Sequence, residues 1–295
     1  MNIGLFAPDS KIPNLAIMKI STYHKSKGDN VGFLKEISNP DIIYTSVIFT
    51  KNKYNYYGLK HFYPKAKIIY GGSGINYDCL PNNIEHIMPD YDLYDIDYSL
   101  GFITRGCIRK CDFCIVHHKE GNLCFNAPLK EFVNPEFKKL ILLDNNLLAY
   151  KNHLDILKEI KERGLKVDFN QGLDIRLVNK DNSKLLSELK YYNQKFVKKT
   201  LRFAFDNSDM KKQLLRGFNL LIKNGIKPRD IMFYILAYPD KIQDAVHRVN
   251  IIKELGSRPF IMRINQAKSR ELIKLSRWVN HLPYYEIFTY DEFRG

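Results

Sequence analysis

Cys107, Cys111 and Cys114 fall within the run Arg105-Gly106-Cys107-Ile108-Arg109-Lys110-Cys111-Asp112-Phe113-Cys114. Three thiols spaced C-x3-C-x2-C on a glycine-bearing loop form a metal-ligating pattern. Iron–sulfur clusters are usually held by four cysteines. Three thiolates hold three irons of a 4Fe–4S cluster and leave the fourth open, as catalytic metal sites keep an open position. The same thiols suit a zinc site completed by His117, His118 or Cys124. Spacing alone leaves both chemistries open, because a short motif depends on its structural context.

That context is an alternation of helices and strands. Gly28, Gly164, Gly225 and Gly256 each close a helical run and precede an apolar one, as glycines at helix C-termini do. Ser208 is placed to cap a helix carrying Leu214, Leu215, Phe218, Leu221 and Ile222. Asp240 is placed to cap one carrying Ile242, Val246, Val249 and Ile252. Such alternation predicts parallel sheet covered by helices.

Two units are expected. Residues 1–97 read as a small Rossmann-like layer, with strands near 3–6, 31–34, 42–49 and 67–70 and helices near 15–26 and 54–62; the stretch 88–98 serves as connector. Residues 98–295 read as six β/α repeats, with strands near 99–104, 140–143, 166–169, 201–205, 231–236 and 260–264. Six repeats make most of a (β/α)8 barrel, whose functional residues lie at the C-terminal strand ends. The cysteines follow the first of these strands.

The other strand ends are polar. They carry Asp144, Asn145 and Asn146, then Gln171, Asp174 and Arg176, then Asp206, then Tyr238, then Arg263. Such groups suit an ammonium, a carboxylate and ribose hydroxyls. Asp144, Asp206 and Asp240 are equally suited to capping the helices that come after them.

With these residues in view, the chain resembles the radical S-adenosylmethionine (radical SAM) superfamily over about its last two-thirds. The resemblance implies a partial (β/α)6 TIM-like barrel in which Cys107, Cys111 and Cys114 ligate a 4Fe–4S cluster and SAM chelates the open iron. It also implies that Phe113 offers its backbone to adenine and that Asp206 meets the ribose. Asn145, Gln171, Asp174, Arg176 and Arg263 are implied as further SAM or substrate contacts. Asp144-Asn145-Asn146 stands where many members have Gly-Gly-Glu for the SAM ammonium, a departure that weakens the assignment of Asp144. The run Cys114 to Gly121 is similar to a methylthiotransferase-like pattern, but His117 replaces the expected Pro, and the cysteines of a second cluster are lacking.

Residues 1–97 resemble a shortened, degenerate cobalamin-binding domain. Asp9-Ser10-Lys11-Ile12-Pro13-Asn14 has no His where that family carries its cobalt ligand, so cobalamin is not expected. Gly71 to Gly74 read as a tight turn rather than a phosphate cradle.

The net charge of +14 suits a polyanionic partner, RNA, DNA or a nucleotide, although Lys-rich composition also follows from codon bias. Basic groups cluster at Lys198-Lys199 with Arg202, at Lys211-Lys212 with Arg216, and at Lys268, Arg270, Lys274 and Arg277. No apolar run is long enough to span a bilayer, and the first residues do not resemble a signal segment. Five cysteines, three of them clustered, are no disulfide framework, and cytoplasmic, reducing conditions are expected. Cys79 and Cys124 are expected to pack.

The expected activity is reductive SAM cleavage that starts radical modification of a nucleic-acid base or nucleotide. The expected electron source is a reductase or a flavodoxin- or ferredoxin-type donor. Two alternatives stay open: the same chemistry on a peptide or small metabolite, and a non-catalytic, zinc-stabilised nucleic-acid-binding protein.

Overall fold

A computed structural model describes residues 1–10, 12–52 and 58–295 of the chain. It divides into two compact units, one formed by 1–101 with 127–137, the other by 102–126 with 138–295.

In the first unit, β1 (Asn2–Phe6) is buried on both faces, as a central parallel strand requires. The helix α1 (Leu15–Lys25) comes next, capped by the Asn14 side chain, which accepts from the Ile17 N–H. Then come β2 (Asn30–Phe33), β3 (Ile42–Ser46), α2 (Leu59–Phe62) and β4 (Lys67–Gly71). The sheet order is β2-β1-β3-β4, all parallel, with Ile3 opposite both Val31 and Ile42. Ile3, Leu5, Ile17, Ile20 and Ile84 form the core beneath it. Each such side chain contributes roughly 1.5–3 kcal/mol by leaving water. Part of the helix expected over 54–62 lies outside the described residues.

The helix α3 (Asn82–Glu85) and the strand β5 (Ser99–Gly101) complete this stretch. The chain then enters the second unit through β6 (Thr104–Arg105), α4 (Val116–Lys119) and β7 (Cys124–Phe125). It returns to the first with α5 (Leu129–Phe132) before leaving again. Tyr91 donates its hydroxyl to the Phe132 carbonyl, and His86 meets Glu131 at 2.9 Å, which ties 127–137 to the first unit. The chain thus crosses between units three times, where the sequence suggests one crossing near residue 97.

The second unit continues with β8 (Lys139–Leu142), α6 (His153–Glu162), β9 (Lys166–Phe169), α7 (Lys180–Glu188) and β10 (Lys190–Tyr191). Next come β11 (Leu201–Ala204), α8 (Lys211–Lys223), β12 (Ile231–Ala237) and α9 (Ile242–Glu254). The last elements are β13 (Arg258–Arg263), α10 (Arg270–Asn280) and α11 (Leu282–Ile287). Within this unit β9 lies between β8 and β10, and β12 lies between β11 and β13, all parallel. A parallel bridge between Leu173 and Phe203 joins the two sets. The architecture is therefore mixed α/β built on parallel sheet.

Alternation along the strands sorts the side chains. Leu201, Phe203, Ile231, Phe233 and Ile235 are fully buried. Arg202 lies on the other face of β11 and pairs with Asp168 of β9, so it is no part of a surface basic cluster.

Two expected helix starts differ. Ser208 donates its hydroxyl to Asp244 instead of capping, and Asn207 accepts from the Asp209 N–H at the turn before α8. The N-cap of α9 is Lys241, not Asp240, and makes no side-chain cap bond. The four helix-ending glycines do take positive φ, from +66° to +89°.

Candidate functional site

The cysteine loop is a hairpin excursion. Thr104 and Arg105 pair antiparallel with Phe125 and Cys124, so the loop leaves and returns at one place. The expected strand 99–104 breaks there because Ile103 and Thr104 give their N–H groups to the Asp144 carboxylate instead of a ladder. Asp144 is buried, and one oxygen also accepts the Thr104 hydroxyl at 2.6 Å. Burial pushes its pKa up to about 6, against the pull of these hydrogen bonds. Asp144 therefore anchors the strand that carries the loop.

Glu120 closes the loop on itself. One carboxylate oxygen accepts from the Gly106 N–H at 3.0 Å and from Asn145 Nδ2 at 2.7 Å. The other meets Arg105 at 3.3 Å, and that guanidinium also lies 3.6 Å over the Phe102 ring. Glu120 went unnoticed in the sequence because nothing local separates it from a solvated glutamate. Only its return to Gly106 reveals it.

The sulfurs are supplied with donors. Cys107 Sγ accepts from the Arg109 N–H at 3.3 Å and from Asn146 Nδ2 at 3.6 Å. The Asn146 side-chain oxygen is buried without a partner. The Cys111 thiol is pushed up by burial and by the neighbouring Cys114 and Asp206; Arg176 pulls it down, and Cys107 adds to the rise. The three thiols thus lie within electrostatic reach of one another and of residues after β9 and β11. Among the described residues, however, no three His, Cys, Asp or Glu side chains are gathered closely enough to hold a metal ion.

Asp174 and Arg176 come after β9 as a bidentate pair, with contacts of 2.7 and 2.9 Å. Arg109, from the cysteine loop, adds a third charged contact to Asp174 at 3.1 Å. Burial raises the Asp174 pKa, but bonding to Arg176 and the charges of Arg176 and Arg109 bring it below the usual value. Arg176 loses affinity for its proton through burial but gains more from Asp174, Cys111 and Asp206. Asp206 accepts from the Leu236 N–H at 3.0 Å and is raised chiefly by burial. Tyr238, after β12, is raised by burial and then by Asp206 and Asp112, against the pull of Arg248.

Contacts therefore join the cysteine loop to Asp174 and, through it, to Arg176, with Asn145 and Asn146 beside the loop. Gln171 is exposed, and Arg263 donates to the Ala267 carbonyl at 3.2 Å. Phe113 is half-exposed on the loop, as are Ile108 and Ile115. Cys79 and Cys124 are exposed, not packed as expected.

In the first unit, Asp9 occupies the C-terminal edge of the sheet, where open α/β folds bind ligands. Its carboxylate accepts from the Ile48 and Phe49 N–H groups and from Asn52 Nδ2, at 2.9 to 3.1 Å. The donors that would receive an anion there are filled by the chain itself. Gly72 has φ +94°, and a Cβ on it would lie 2.3 Å from the Val47 carbonyl oxygen, so this segment is a tight turn against backbone.

Among the described residues, no helix is long and apolar enough to cross a membrane. No protein-family model matches the sequence, and no curated protein matches it either.

Proposed function

We propose that the chain is a radical SAM enzyme, with its second unit acting as the partial (β/α)6 barrel and its substrate a nucleic-acid base or nucleotide. The observation that carries this reading is the contact of the cysteine loop with residues at the C-terminal ends of parallel strands: Arg109 donates to Asp174 at 3.1 Å, and Asn146 donates to Cys107 Sγ at 3.6 Å. When bound, the 4Fe–4S cluster supplies the electron that cleaves SAM to methionine and a 5′-deoxyadenosyl radical.

The chain's own part is to hold and orient. Cys107, Cys111 and Cys114 would be the ligands that hold the cluster. The N–H groups directed at Cys107 Sγ are hydrogen bonds of the kind that tune a cluster's potential. Asn145 and Asn146, rather than Asp144, present side chains beside the loop, and the unpartnered Asn146 oxygen is an acceptor suited to an ammonium. Asp206 suits a ribose hydroxyl, and Arg176, one edge of which is taken by Asp174, offers a carboxylate only its remaining N–H groups.

The test is anaerobic reconstitution with iron and sulfide, then dithionite and SAM, with 5′-deoxyadenosine measured by mass spectrometry. The expected result is a brown protein that forms 5′-deoxyadenosine, and a Cys111→Ala variant that does not. A colourless protein that retains zinc and makes no product would overturn the reading.

A further inference from the structure

The opposite edge of the second unit's sheet carries a charge arrangement that folding alone does not favour. Lys139, Lys166 and Lys190 open β8, β9 and β10. They stand in one register across three adjacent parallel strands, Lys139 opposite Lys166 and Lys166 opposite Lys190. Partners in register share a face, so three ammonium-bearing side chains leave the backbone about 4.8 Å apart. Like charges placed so repel.

Aromatic rings flank the lysines. Lys166 lies 5.5 Å over the Tyr192 ring, Lys139 5.8 Å over Phe196 and Lys199 5.6 Å over Tyr191. The Lys166 and Lys139 ammonium groups thus meet aromatic faces, and Lys190, which is exposed, donates to the Gly164 carbonyl at 3.4 Å. Two nearby acids are committed elsewhere: Asp168 on β9 pairs with Arg202, and Glu188 on α7 with Lys161. The segment before β11 adds Lys198 and Lys199, both exposed.

We propose that this lysine row binds the phosphate backbone of a nucleic-acid strand. A line of cations at regular spacing matches a line of anions, and counterion release makes such contacts favourable. The row lies at the N-terminal ends of β8, β9 and β10, whereas Asn145, Asp174 and Asp206 lie beyond the C-terminal ends of β8, β9 and β11. It therefore grips the polymer away from the cysteine loop. The inference narrows the substrate of the proposed function from a free nucleotide to a strand, and rests on that reading for its purpose. Binding itself needs neither iron nor SAM.

The test is fluorescence anisotropy of short labelled RNA and DNA strands with iron-free protein over a series of KCl concentrations. The wild-type protein is expected to bind, with affinity falling as salt rises. Lys166→Glu with Lys190→Glu should weaken binding at least tenfold and flatten the salt slope by about 0.7 per lysine for a single strand. Lys211→Glu with Lys212→Glu, the same charge change on α8, should leave affinity within about twofold. The thermal midpoint of the first double variant should stay level or rise, because repulsion within the row is relieved. If that variant proves unstable, Lys190→Glu alone, at an exposed position, gives the same comparison. The proposal fails if no strand binds, if reversal of the row leaves affinity and slope unchanged, or if anionic phosphatidylserine vesicles bind and strands do not. 5′-Deoxyadenosine formation is unaffected by these outcomes, so failure here and failure of the radical reading are separate results.

Discussion

Arg109 and Asp174 lie 65 positions apart in sequence and meet at 3.1 Å, joining the middle of the cysteine loop to the segment after β9. The same carboxylate receives two side-chain contacts from Arg176. One buried acid therefore fixes both the loop and the guanidinium that faces Cys111.

Asp174→Asn is expected to cost about 2–3 kcal/mol in urea unfolding at neutral pH, as loss of hydrogen bonds to a charged group does. The sign with pH is set by a pKa held below the ordinary 3.8. The Asp174 contribution is complete above that value and disappears as pH falls through the lower, folded-state value. The stability gap between wild type and variant should therefore narrow in acid.

Asp144 should behave in the opposite sense. Its pKa rises from 3.8 to about 6 on folding. Its proton is held more tightly in the native state, so its contribution is complete below 3.8 and is lost as pH rises through about 6. The change is about 3 kcal/mol. Subtracting the stability curve of Asp144→Asn from that of the wild type between about pH 3.5 and pH 7 should isolate this decline; a flat difference would refute it.

Glu120 ties Gly106, Arg105 and Asn145 together. If the proposed cluster is held by this loop, Glu120→Ala should free the loop, with iron retained per chain after reconstitution falling severalfold and the global thermal midpoint moving little. Glu120→Gln keeps one acceptor and should retain an intermediate amount. Equal iron in all three proteins would show that the loop needs no clamp.

Two glycines of the loop separate space from conformation. Gly106 has φ +75°, and a Cβ there would lie 2.3 Å from the Asn122 carbonyl oxygen. Gly121 has φ +72° with nothing within 4 Å. Gly121→Ala should cost only the backbone penalty, about 1–2 kcal/mol. Gly106→Ala should cost clearly more, since backbone must move as well. Equal thermal midpoints for the two variants would contradict this geometry.

Much of the fold was legible because its signals are local. Lys166–Phe169, with Val167 and Phe169 alternating with charged residues, and the apolar run Ile231–Ala237 both come after helix-ending glycines, and they appear as strands within a residue or so of expectation. The cysteines announced themselves by spacing. What escaped depends on contacts distant in sequence. Asp144 serves Ile103 and Thr104, 41 and 40 positions away, so a side chain suited to a ligand is spent on backbone. Arg202 sits close to two lysines in sequence, yet strand alternation turns it inward to Asp168. The exception is local: Ser208 is a good cap by residue type, but Asn207, one position earlier, accepts the free N–H and leaves Ser208 inside the turn.

The threefold crossing of the chain has a hereditary consequence. Neither unit is one continuous stretch, since 127–137 belongs with 1–101 while 102–126 belongs with 138–295. A single recombination junction cannot exchange either unit whole. Cutting after residue 97 would strip the first of the segment that receives the Tyr91 hydroxyl. A graft of either unit into another protein therefore needs more than one splice.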